Sequence, residues 1–439
     1  MSVDLARLYA DHLSELTRRS ADALARADRS HLLIAAGVEK YHFLDDMPYP
    51  FFANPHFLAW LPLARHPHCW LAITPGEKPR LVYHQPDDYW HVPPTDPEGF
   101  WVDHFDIRIV REPEQAQAEL PPANDSVILG ESDAALGEYV PDNSPAVVDH
   151  LHWHRAFKTT YELAQMRLAQ RRAVPGHRAA ERAFRAAASE RDIHLAYLAA
   201  TGHDDSDLPY GNIVALNDHG ATLHYQYRDA DAPARSRSLL IDAGASCAGY
   251  AADITRTWGD GDLRFEALIA AVDTAQRELA ANVRPGRDFR DLHLQAHRLL
   301  GGALHEAGVL RVDAEEALAR GLTSSFFPHG LGHLIGLQVH DVGGFQASET
   351  GGTIDKPRGH RYLRLTRTLA PGMVTTIEPG VYFIDSLLQK LRAGDDAAAV
   401  DWDAVTHLSR YGGVRIEDDV LCTADAPENL TRDAFAVDD

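Results

Sequence analysis

Apolar residues recur every three to four positions from about Val3 to Ala27, and this spacing predicts an amphipathic helix. Short apolar runs follow, separated by loops rich in Pro and Asp. These runs predict strands over residues 31–37, 69–74, 79–84 and 125–131. Because helix and strand signals are mixed here, the pattern predicts one α/β domain of about 150 residues.

The pattern changes near residue 155, where longer helical repeats begin. We expect a helix over 163–173 that ends at Pro175-Gly176, and a second helix over 177–190. The same spacing predicts helices over 265–279 and 292–304, and short strands in the Gly- and Pro-rich chain beyond about 322. The sequence therefore predicts an N-terminal α/β domain, 1–155, and a second α+β domain, 156–439.

The histidines of "HLHWH", residues 150–154, alternate as side chains on a strand do. We expect them to lie at a surface or between domains, and not to bind metal.

The composition is that of a globular protein with an acidic surface. The formal net charge of −22 disfavours nucleic acid and anionic membranes as partners. Three widely spaced cysteines, Cys69, Cys247 and Cys422, cannot form a disulfide framework and are typical of a reducing compartment. We find no signal-peptide pattern and no apolar run near the roughly 20 residues of a membrane helix, so we expect a cytoplasmic protein.

Two aspartates interrupt an apolar hairpin pattern, "IDAGASCAGYAADITRTW", which spans residues 241–258. We expect Asp242 and Asp253 to lie on facing strands. Two carboxylates at close range raise each other's pKa unless a cation neutralises them. A single buried aspartate could simply pair with Arg256, but two of them point to a metal site.

Three later segments offer matching ligands. The first, "FFPHGLGHLIGLQVHDVGG", contains His329, His333 and His340, and its glycines allow close approach of the backbone. Strand-like segments follow, with Glu378 in "GMVTTIEPGVYF" and Glu417 in "YGGVRIEDDV". No HExxH helix is present, so a zincin-type site is excluded.

Taken together, four carboxylates carry four negative charges, and two divalent cations would balance them. An oxygen-rich ligand set with one imidazole and no thiolate favours harder ions over a structural zinc. We therefore expect two divalent ions per subunit, with Mn²⁺ first and Co²⁺ or Zn²⁺ as alternatives. Such ions activate water for hydrolysis.

These segments, in this order, resemble the motifs of the pita-bread metallopeptidases, which include prolidase, aminopeptidase P and methionine aminopeptidase. The resemblance extends over nearly the whole chain, and "FLDDMPYPFFANPHFLAWLP" and "LPYGNIVALN" resemble bacterial prolidases and organophosphorus acid anhydrolases. It implies a creatinase-type N-terminal domain, a pita-bread catalytic domain, a homodimer and hydrolysis of Xaa-Pro dipeptides, with organophosphorus triesters as side substrates.

The resemblance also implies roles for individual residues. It implies metal ligation by Asp242, Asp253, His333, Glu378 and Glu417. Two histidines match the family's catalytic histidines, namely His224 and His340. Glu378 would also move a proton during the reaction.

Other residues are predicted to orient ligands or hold substrate. Arg415 lies two residues before Glu417, so on a strand it would face the same side and orient that carboxylate. Arg364 would bind the substrate's free carboxylate. The remaining substrate-binding candidates are Tyr210, His329, Val339 and Asp45, and either Asp45 or its neighbour Asp46 would reach an active site of a dimer partner.

One alternative enzyme remains open, and two non-catalytic alternatives are disfavoured. Aminopeptidase P would act on longer peptides with proline in second position. A non-catalytic pita-bread protein would have lost ligands, whereas all five are present here. A nucleotide-binding module would need a glycine-rich phosphate loop, and the sequence has none.

Overall fold

The computed structural model describes residues 4–438, which form two compact units. The first unit extends to Gln165 and includes the short segment Gln346–Gly352. The second contains Met166–Phe345 and the chain from Thr353 onward. Val3, where the first helix was predicted to begin, lies outside the described residues.

The first unit mixes helices and strands, as predicted. Its main elements are α1 (Leu5–Ala27), β1 (His31–Ala35), α2 (Pro55–Leu58), β2 (Trp70–Ile73), β3 (Arg80–His84), β4 (Asp106–Val110), β5 (Ser126–Leu129) and α3 (Pro145–Arg155). All the predicted strands are present. β4 was not predicted, because Arg108 interrupts its apolar pattern and Ile109 is exposed at the edge of the sheet.

These strands form one mixed sheet in the order β4-β3-β2-β1-β5. β1 is antiparallel to β2 and parallel to β5, while β3 is antiparallel to β2 and parallel to β4. Leu33, Trp70, Val82 and Ile128 are buried in one cluster on this sheet. The central strands are therefore apolar throughout, which is why the sequence predicted them.

Residues 150–154 do not form the extended segment that their alternation suggested. They lie in helix α3, which begins at Pro145 after Ser144. Proline is well suited to the first turn of a helix, since its missing N–H would have no partner there. His150 and His154 then lie one turn apart, with ring centroids separated by 4.4 Å.

Helices of 6 to 26 residues make up much of the second unit. They are α4 (Thr160–Arg185), which begins in the first unit, α5 (Glu190–Thr201), α6 (Leu263–Ala281), α7 (Phe289–Glu306), α8 (Ala314–Ala319), α9 (Asp385–Ala393), α10 (Trp402–Leu408) and α11 (Leu430–Asp438). The predicted helices at 265–279 and 292–304 correspond to α6 and α7.

The predicted break at Pro175-Gly176 is wrong, because α4 continues through both residues. A Cβ on Gly176 would lie only 2.6 Å from side-chain atoms of Tyr197 and Thr201. Helix α5 therefore packs closely against α4 at this glycine. Proline in a helix interior removes one hydrogen bond, and burial of Ala173 and Ala180 on either side keeps the helix continuous.

The remaining strands are short. They are β6 (Ile213–Leu216), β7 (Ser238–Asp242), β8 (Ser246–Cys247), β9 (Tyr250–Ala251), β10 (Thr255–Gly259), β11 (Gln346–Ser348), β12 (Gly351–Thr353), β13 (Val374–Ile377), β14 (Gly380–Tyr382), β15 (Gly413–Arg415), β16 (Asp418–Leu421) and β17 (Glu428–Asn429).

Antiparallel pairing brings the acidic segments of the second unit together. β7 lies between β10 and β6, β16 lies between β13 and β17, and β14 pairs with β15. Thr255 lies opposite Asp242 in the first of these sheets and also forms a bridge with Glu417. This bridge joins the two-aspartate hairpin to the segment that carries Glu417.

Within residues 4–438, no helix has both the length and the apolar character to cross a membrane.

A buried ion-pair cluster supports β16. Asp418 is fully buried and accepts hydrogen bonds from Arg256 at 2.8 Å and from Arg432 at 2.6 Å. Burial opposes ionisation, yet the two guanidinium groups hold the pKa of Asp418 below its usual value. Removing one partner of a buried ion pair typically costs about 3–5 kcal/mol, because the other charge is left unpaired.

We therefore expect Asp418→Ala to lower the free energy of unfolding by about 3–5 kcal/mol in equilibrium urea denaturation. Glu315→Ala is the matched control, since it removes an exposed ion pair with Arg298 and should cost less than about 1 kcal/mol. Equal losses for the two variants would contradict this account of β16.

Candidate metal centre

The two-aspartate hairpin forms as predicted, with one difference. Asp242 is the last residue of β7, but Asp253 precedes β10 by two residues and lies in an extended segment. Two buried apolar residues, Ala252 and Ile254, flank Asp253 in the sequence. The hairpin thus presents two carboxylates at the end where its strands separate.

The other three predicted ligands approach from separate segments. Glu378 follows β13 directly, and Glu417 lies between β15 and β16. His333 comes from an irregular loop, whose Leu334 bridges Thr375 in β13. His333 Nε2 lies 3.6 Å from Asp253 Oδ2 and 3.6 Å from Glu378 Oε1. The ligand atoms of Asp253, His333 and Glu417 all lie within 4.8 Å of one another.

The hydrogen bonds of His333 define which nitrogen faces the carboxylates. Its Nδ1 lies 3.0 Å from the Leu334 carbonyl oxygen, which can only accept, so Nδ1 carries the proton. Burial lowers the pKa of His333 to about 3, so the ring is neutral. Nε2 therefore directs a lone pair at the acidic cluster, as a metal-binding histidine requires.

Electrostatics indicate that the cluster needs a cation. Burial and repulsion from Asp242 raise the pKa of Asp253 well above its usual value, and burial and repulsion from Asp253 do the same for Glu417. Burial also raises the pKa of Glu378 to about 8. Asp242 Oδ1 is buried and has no hydrogen-bond partner among residues 4–438. Carboxylates that cannot ionise together, beside an unprotonated imidazole nitrogen, fit a divalent metal ion.

Arg415 is buried beside this cluster. Its Nη2 donates to Asp242 Oδ2 at 2.7 Å, and its Nε donates to Thr255 Oγ1 at 3.2 Å. Thr255 Oγ1 in turn donates to Glu417 Oε2 at 2.6 Å. Arg415 was expected to orient Glu417. Its direct carboxylate partner is instead Asp242, and it reaches Glu417 through Thr255.

A second chain of hydrogen bonds leads from Arg415 to His329. Arg415 Nη1 donates to the Tyr382 hydroxyl at 2.9 Å, and that hydroxyl donates to His329 Nε2 at 2.8 Å. His329 Nδ1 donates to the Gly330 carbonyl at 2.8 Å and lies 3.5 Å from Glu378 Oε2. His329 therefore contacts the edge of the acidic cluster through a nitrogen that carries a proton.

Asp253 is held by neighbours on both its side chain and its backbone. The Tyr210 hydroxyl donates to Asp253 Oδ1 at 2.6 Å, so this predicted substrate-pocket residue contacts a predicted ligand directly. The Asp253 N–H donates to Asp419 Oδ2 at 3.1 Å, and Gln170 also donates to that oxygen. Asp419 thereby fixes the backbone at Asp253.

The remaining predicted residues of the second unit lie around this cluster. The His340 ring packs edge-on against that of His333, with centroids 4.4 Å apart. Partial desolvation, followed by repulsion from Arg364 and His224, lowers the pKa of His340 to about 4. The backbone of Val339 forms a hydrogen bond with the His333 ring. His224 and Arg364 are both exposed, so they are accessible to a ligand that approaches His340.

Asp45 belongs to the first unit and is exposed. Its Oδ1 accepts from the backbone N–H groups of Asp46 at 2.8 Å and Met47 at 3.2 Å, so its carboxylate stabilises a turn.

The sequence prediction missed several supporting residues. They are Thr255, Thr376, Tyr382 and Asp419. Thr376 Oγ1 donates to Glu378 Oε1 at 3.3 Å, and its place two residues before that acid was an available signal. Asp419 was also visible, two residues after Glu417. Tyr382 had no such signal, since its hydroxyl meets Arg415 only through the pairing of β14 with β15.

The fold and this cluster define a class of protein in which short antiparallel strands hold a carboxylate-rich centre that can bind metal. Residues 164–424 match the family described as metallopeptidase family M24, and residues 7–153 match the family described as Xaa-Pro dipeptidase, N-terminal domain. The chain belongs to metallopeptidase family M24, and the protein is therefore classed with the hydrolases.

Curated relatives match nearly the whole chain. The chain is 57% identical over 434 residues, 98% of each chain, to a protein of Xanthomonas campestris pv. campestris (strain B100) called Xaa-Pro dipeptidase. It is 55% identical over 436 residues to a Stenotrophomonas maltophilia (strain K279a) protein of the same name, covering 99% of this chain and 98% of the relative.

Solved structures confirm the predicted pita-bread fold. The chain matches Pseudomonas aeruginosa aminopeptidase PepP with a TM-score of 0.71 at 23% identity, covering 97% of this chain and 98% of that one. It matches Escherichia coli aminopeptidase P, solved with the inhibitor Pro-Leu, with a TM-score of 0.72 at 23% identity, covering 96% and 97% of the two chains. At this identity the likeness concerns the fold alone.

A metal-binding role for the cluster predicts the behaviour of Glu417→Gln. Loss of this carboxylate should weaken divalent metal binding at least about tenfold, since even the outer partners of ligands contribute about that much. It should also raise the thermal stability of the metal-free protein by removing repulsion. Added Mn²⁺ should then stabilise the wild type more strongly than the variant.

Thermal unfolding with and without Mn²⁺, together with metal analysis after dialysis, measures both effects. The exposed Glu278→Gln on α6 is the control and should behave as the wild type. Unchanged metal content in Glu417→Gln would contradict a ligand role.

Proposed function

We propose that this protein is a metal-dependent Xaa-Pro dipeptidase with two divalent ions in each subunit. The observation that carries the proposal is the convergence of Asp253, His333 and Glu417 within 4.8 Å, with Glu378 beside them. The relatives named Xaa-Pro dipeptidase support the substrate class, because they match the chain at 55–57% identity over 98–99% of its length.

Manganese is the ion we propose first, with Co²⁺ or Zn²⁺ as alternatives. The ligand set contains four carboxylates, Asp242, Asp253, Glu378 and Glu417, and one imidazole. Oxygen ligands favour harder ions. Two divalent ions carry four positive charges, which balance the negative charges of the four carboxylates. The raised pKa values of Asp253 and Glu417 support this requirement for compensating charge.

Bound divalent ions supply Lewis-acid polarisation of the scissile carbonyl and activation of a water molecule. The chain's own residues would then move protons and hold the substrate. A carboxylate oxygen of Glu378 accepts the proton of the attacking water and delivers it to the proline nitrogen. His340 and His224 donate hydrogen bonds to the developing oxyanion. Arg415 and Thr255 keep Asp242 and Glu417 in place.

Arg364 gives the proposed site its preference for dipeptides. Its guanidinium is exposed, and its charge acts on both His340 and Glu378. A guanidinium can bind a carboxylate through two parallel hydrogen bonds. We propose that Arg364 binds the free carboxylate of proline. In a dipeptide this carboxylate belongs to the residue directly after the cleaved bond, whereas in a longer peptide the same carboxyl group forms the next peptide bond.

Aminopeptidase P is the second candidate, because a solved proline aminopeptidase shares this fold with a TM-score of 0.70 at 25% identity. The two activities differ in the substrate beyond proline. A dipeptidase requires a free carboxylate there, whereas an aminopeptidase accepts a continuing chain.

The first experiment compares Xaa-Pro with Xaa-Pro-Yaa as substrates of metal-stripped protein, before and after addition of Mn²⁺. We expect turnover of the dipeptide alone, and only with metal restored. Turnover of the tripeptide would support aminopeptidase P. If neither substrate is hydrolysed although metal is bound, the proposal is wrong.

A variant of Arg364 tests the carboxylate-binding role. Loss of a charge-assisted pair worth about 1.5–3 kcal/mol should lower kcat/KM for Xaa-Pro roughly 10–100-fold in Arg364→Ala. The proline amide lacks the carboxylate, so Arg364→Ala should lose little on Xaa-Pro-amide. Arg361→Ala is the matched control, since Arg361 lies in the same exposed segment but contacts Tyr362. Equal losses on both substrates would contradict the role.

We further propose that the protein is a cytoplasmic homodimer. No disulfide joins Cys69, Cys247 or Cys422, which supports a reducing compartment. The exposed Asp45 would then contribute to substrate binding in a partner's active site. The remaining substrate contacts would come from Tyr210, His329 and Val339.

A further inference from the structure

A second cluster of possible ligands lies in the same unit but uses only imidazoles. His293 and His297 lie one turn apart on α7, and His360 lies in the irregular segment after β12. Each offers one ring nitrogen, and these nitrogens all lie within 4.8 Å of one another. The rings are close to mutually perpendicular or steeply inclined, with centroids 4.6–4.7 Å apart.

The three nitrogens that converge can be named from their hydrogen bonds. His293 Nε2 and His360 Nδ1 are 2.9 Å apart and share a hydrogen bond, so the ring that donates it would bind an ion as its other tautomer. His297 Nδ1 lies 2.8 Å from Thr323 Oγ1, which leaves its Nε2 for another partner. His297 Nε2 is buried and has no hydrogen-bond partner within the part of the chain that the structure describes. An unsatisfied buried polar atom is uncommon in a native structure and calls for an explanation.

The buried position of the rings favours the form that binds metal. His293 and His297 are each only 1% exposed. Burial lowers the pKa of His297 to about 3 and that of His293 well below its usual value, so both rings are neutral at physiological pH. Neutral imidazole is the ligand form of histidine. Thr323 fixes the orientation of His297, as outer partners of metal ligands do.

We propose that His293, His297 and His360 form a separate binding site for a borderline transition-metal ion such as Zn²⁺. Three imidazole nitrogens match the number of protein ligands in open zinc sites, and His360 is the most exposed of the three residues. This assignment does not depend on the proposed peptidase activity, because it concerns other residues and a different ligand chemistry.

An ion at this site would connect α7 to the segment that leads to Arg364. His360 lies four residues before Arg364, in a stretch without helix or strand from Ile354 to Arg367. Coordination of His360 by an ion shared with two rigid helix residues would restrict this stretch. We therefore expect Zn²⁺ to slow backbone hydrogen exchange over residues 355–362.

The test is equilibrium dialysis of the full-length protein against buffered Zn²⁺, with metal counted per chain. We expect His360→Ala and His297→Ala each to bind one Zn²⁺ fewer per chain than the wild type. His305→Ala, an exposed histidine on the same helix, is the matched control and should bind as the wild type does. A difference between variants is independent of how many ions occupy the carboxylate centre.

Hydrogen exchange provides the second readout. Zn²⁺ should protect residues 355–362 in the wild type and in His305→Ala, but not in His360→Ala. His360 is only half-buried, so its variant should fold even if His297→Ala does not. Equal Zn²⁺ content in wild type and His360→Ala would overturn the proposal, as would protection of 355–362 that persists in His360→Ala.

Discussion

Repulsion among buried carboxylates is the constraint on which the second unit depends. Asp253 and Glu417 are nearly inaccessible to water. Burial and repulsion from Asp242 raise the pKa of Asp253, and burial and repulsion from Asp253 raise the pKa of Glu417. Burying an unpaired charge is so costly that such groups normally become neutral or acquire a counter-charge. Arg415 supplies one positive charge to this cluster, and its guanidinium pairs directly with Asp242. The remaining carboxylates would need positive charge from solution to ionise together, and a divalent metal ion that supplied it would also activate water in the proposed hydrolysis.

Three consecutive buried acids, Glu417, Asp418 and Asp419, each have different partners. Glu417 faces the cluster, Asp418 lies between two arginines, and Asp419 accepts from Gln170 and from the backbone of Asp253. The chain alternates sides at each step, as extended backbone does, so neighbours in sequence meet different partners. Of the three, Asp418 is the one paired with arginines, and Glu417 is the one that lies among the metal-ligand candidates.

The sequence indicated most of the centre because each candidate ligand departs from an apolar or glycine-rich context. Asp253 and Glu417 stand out for this reason, and the family resemblance selected His333 from three histidines. The strands and helices with strong periodicity were also predictable, including α6 and α7. The continuity of α4 through Pro175 was not, because it depends on the close packing of α5 against Gly176. Tyr382 was missed for a similar reason: its role arises from strand pairing distant in sequence.

The imidazole cluster also depends on contacts between residues that are distant in sequence, so it could not be predicted from the sequence. His293 and His297 occupy apolar positions on the buried face of α7, where their spacing suggests core packing, and only the folded chain brings His360 to them. The two clusters would select different ions, since oxygen-rich sites favour Mn²⁺ and imidazoles favour Zn²⁺. They are also physically close. The His297 ring packs at 4.9 Å from that of Phe327, which packs at 4.7 Å from that of His329 beside Glu378. This series of ring contacts connects the imidazole cluster to a histidine at the edge of the carboxylate cluster.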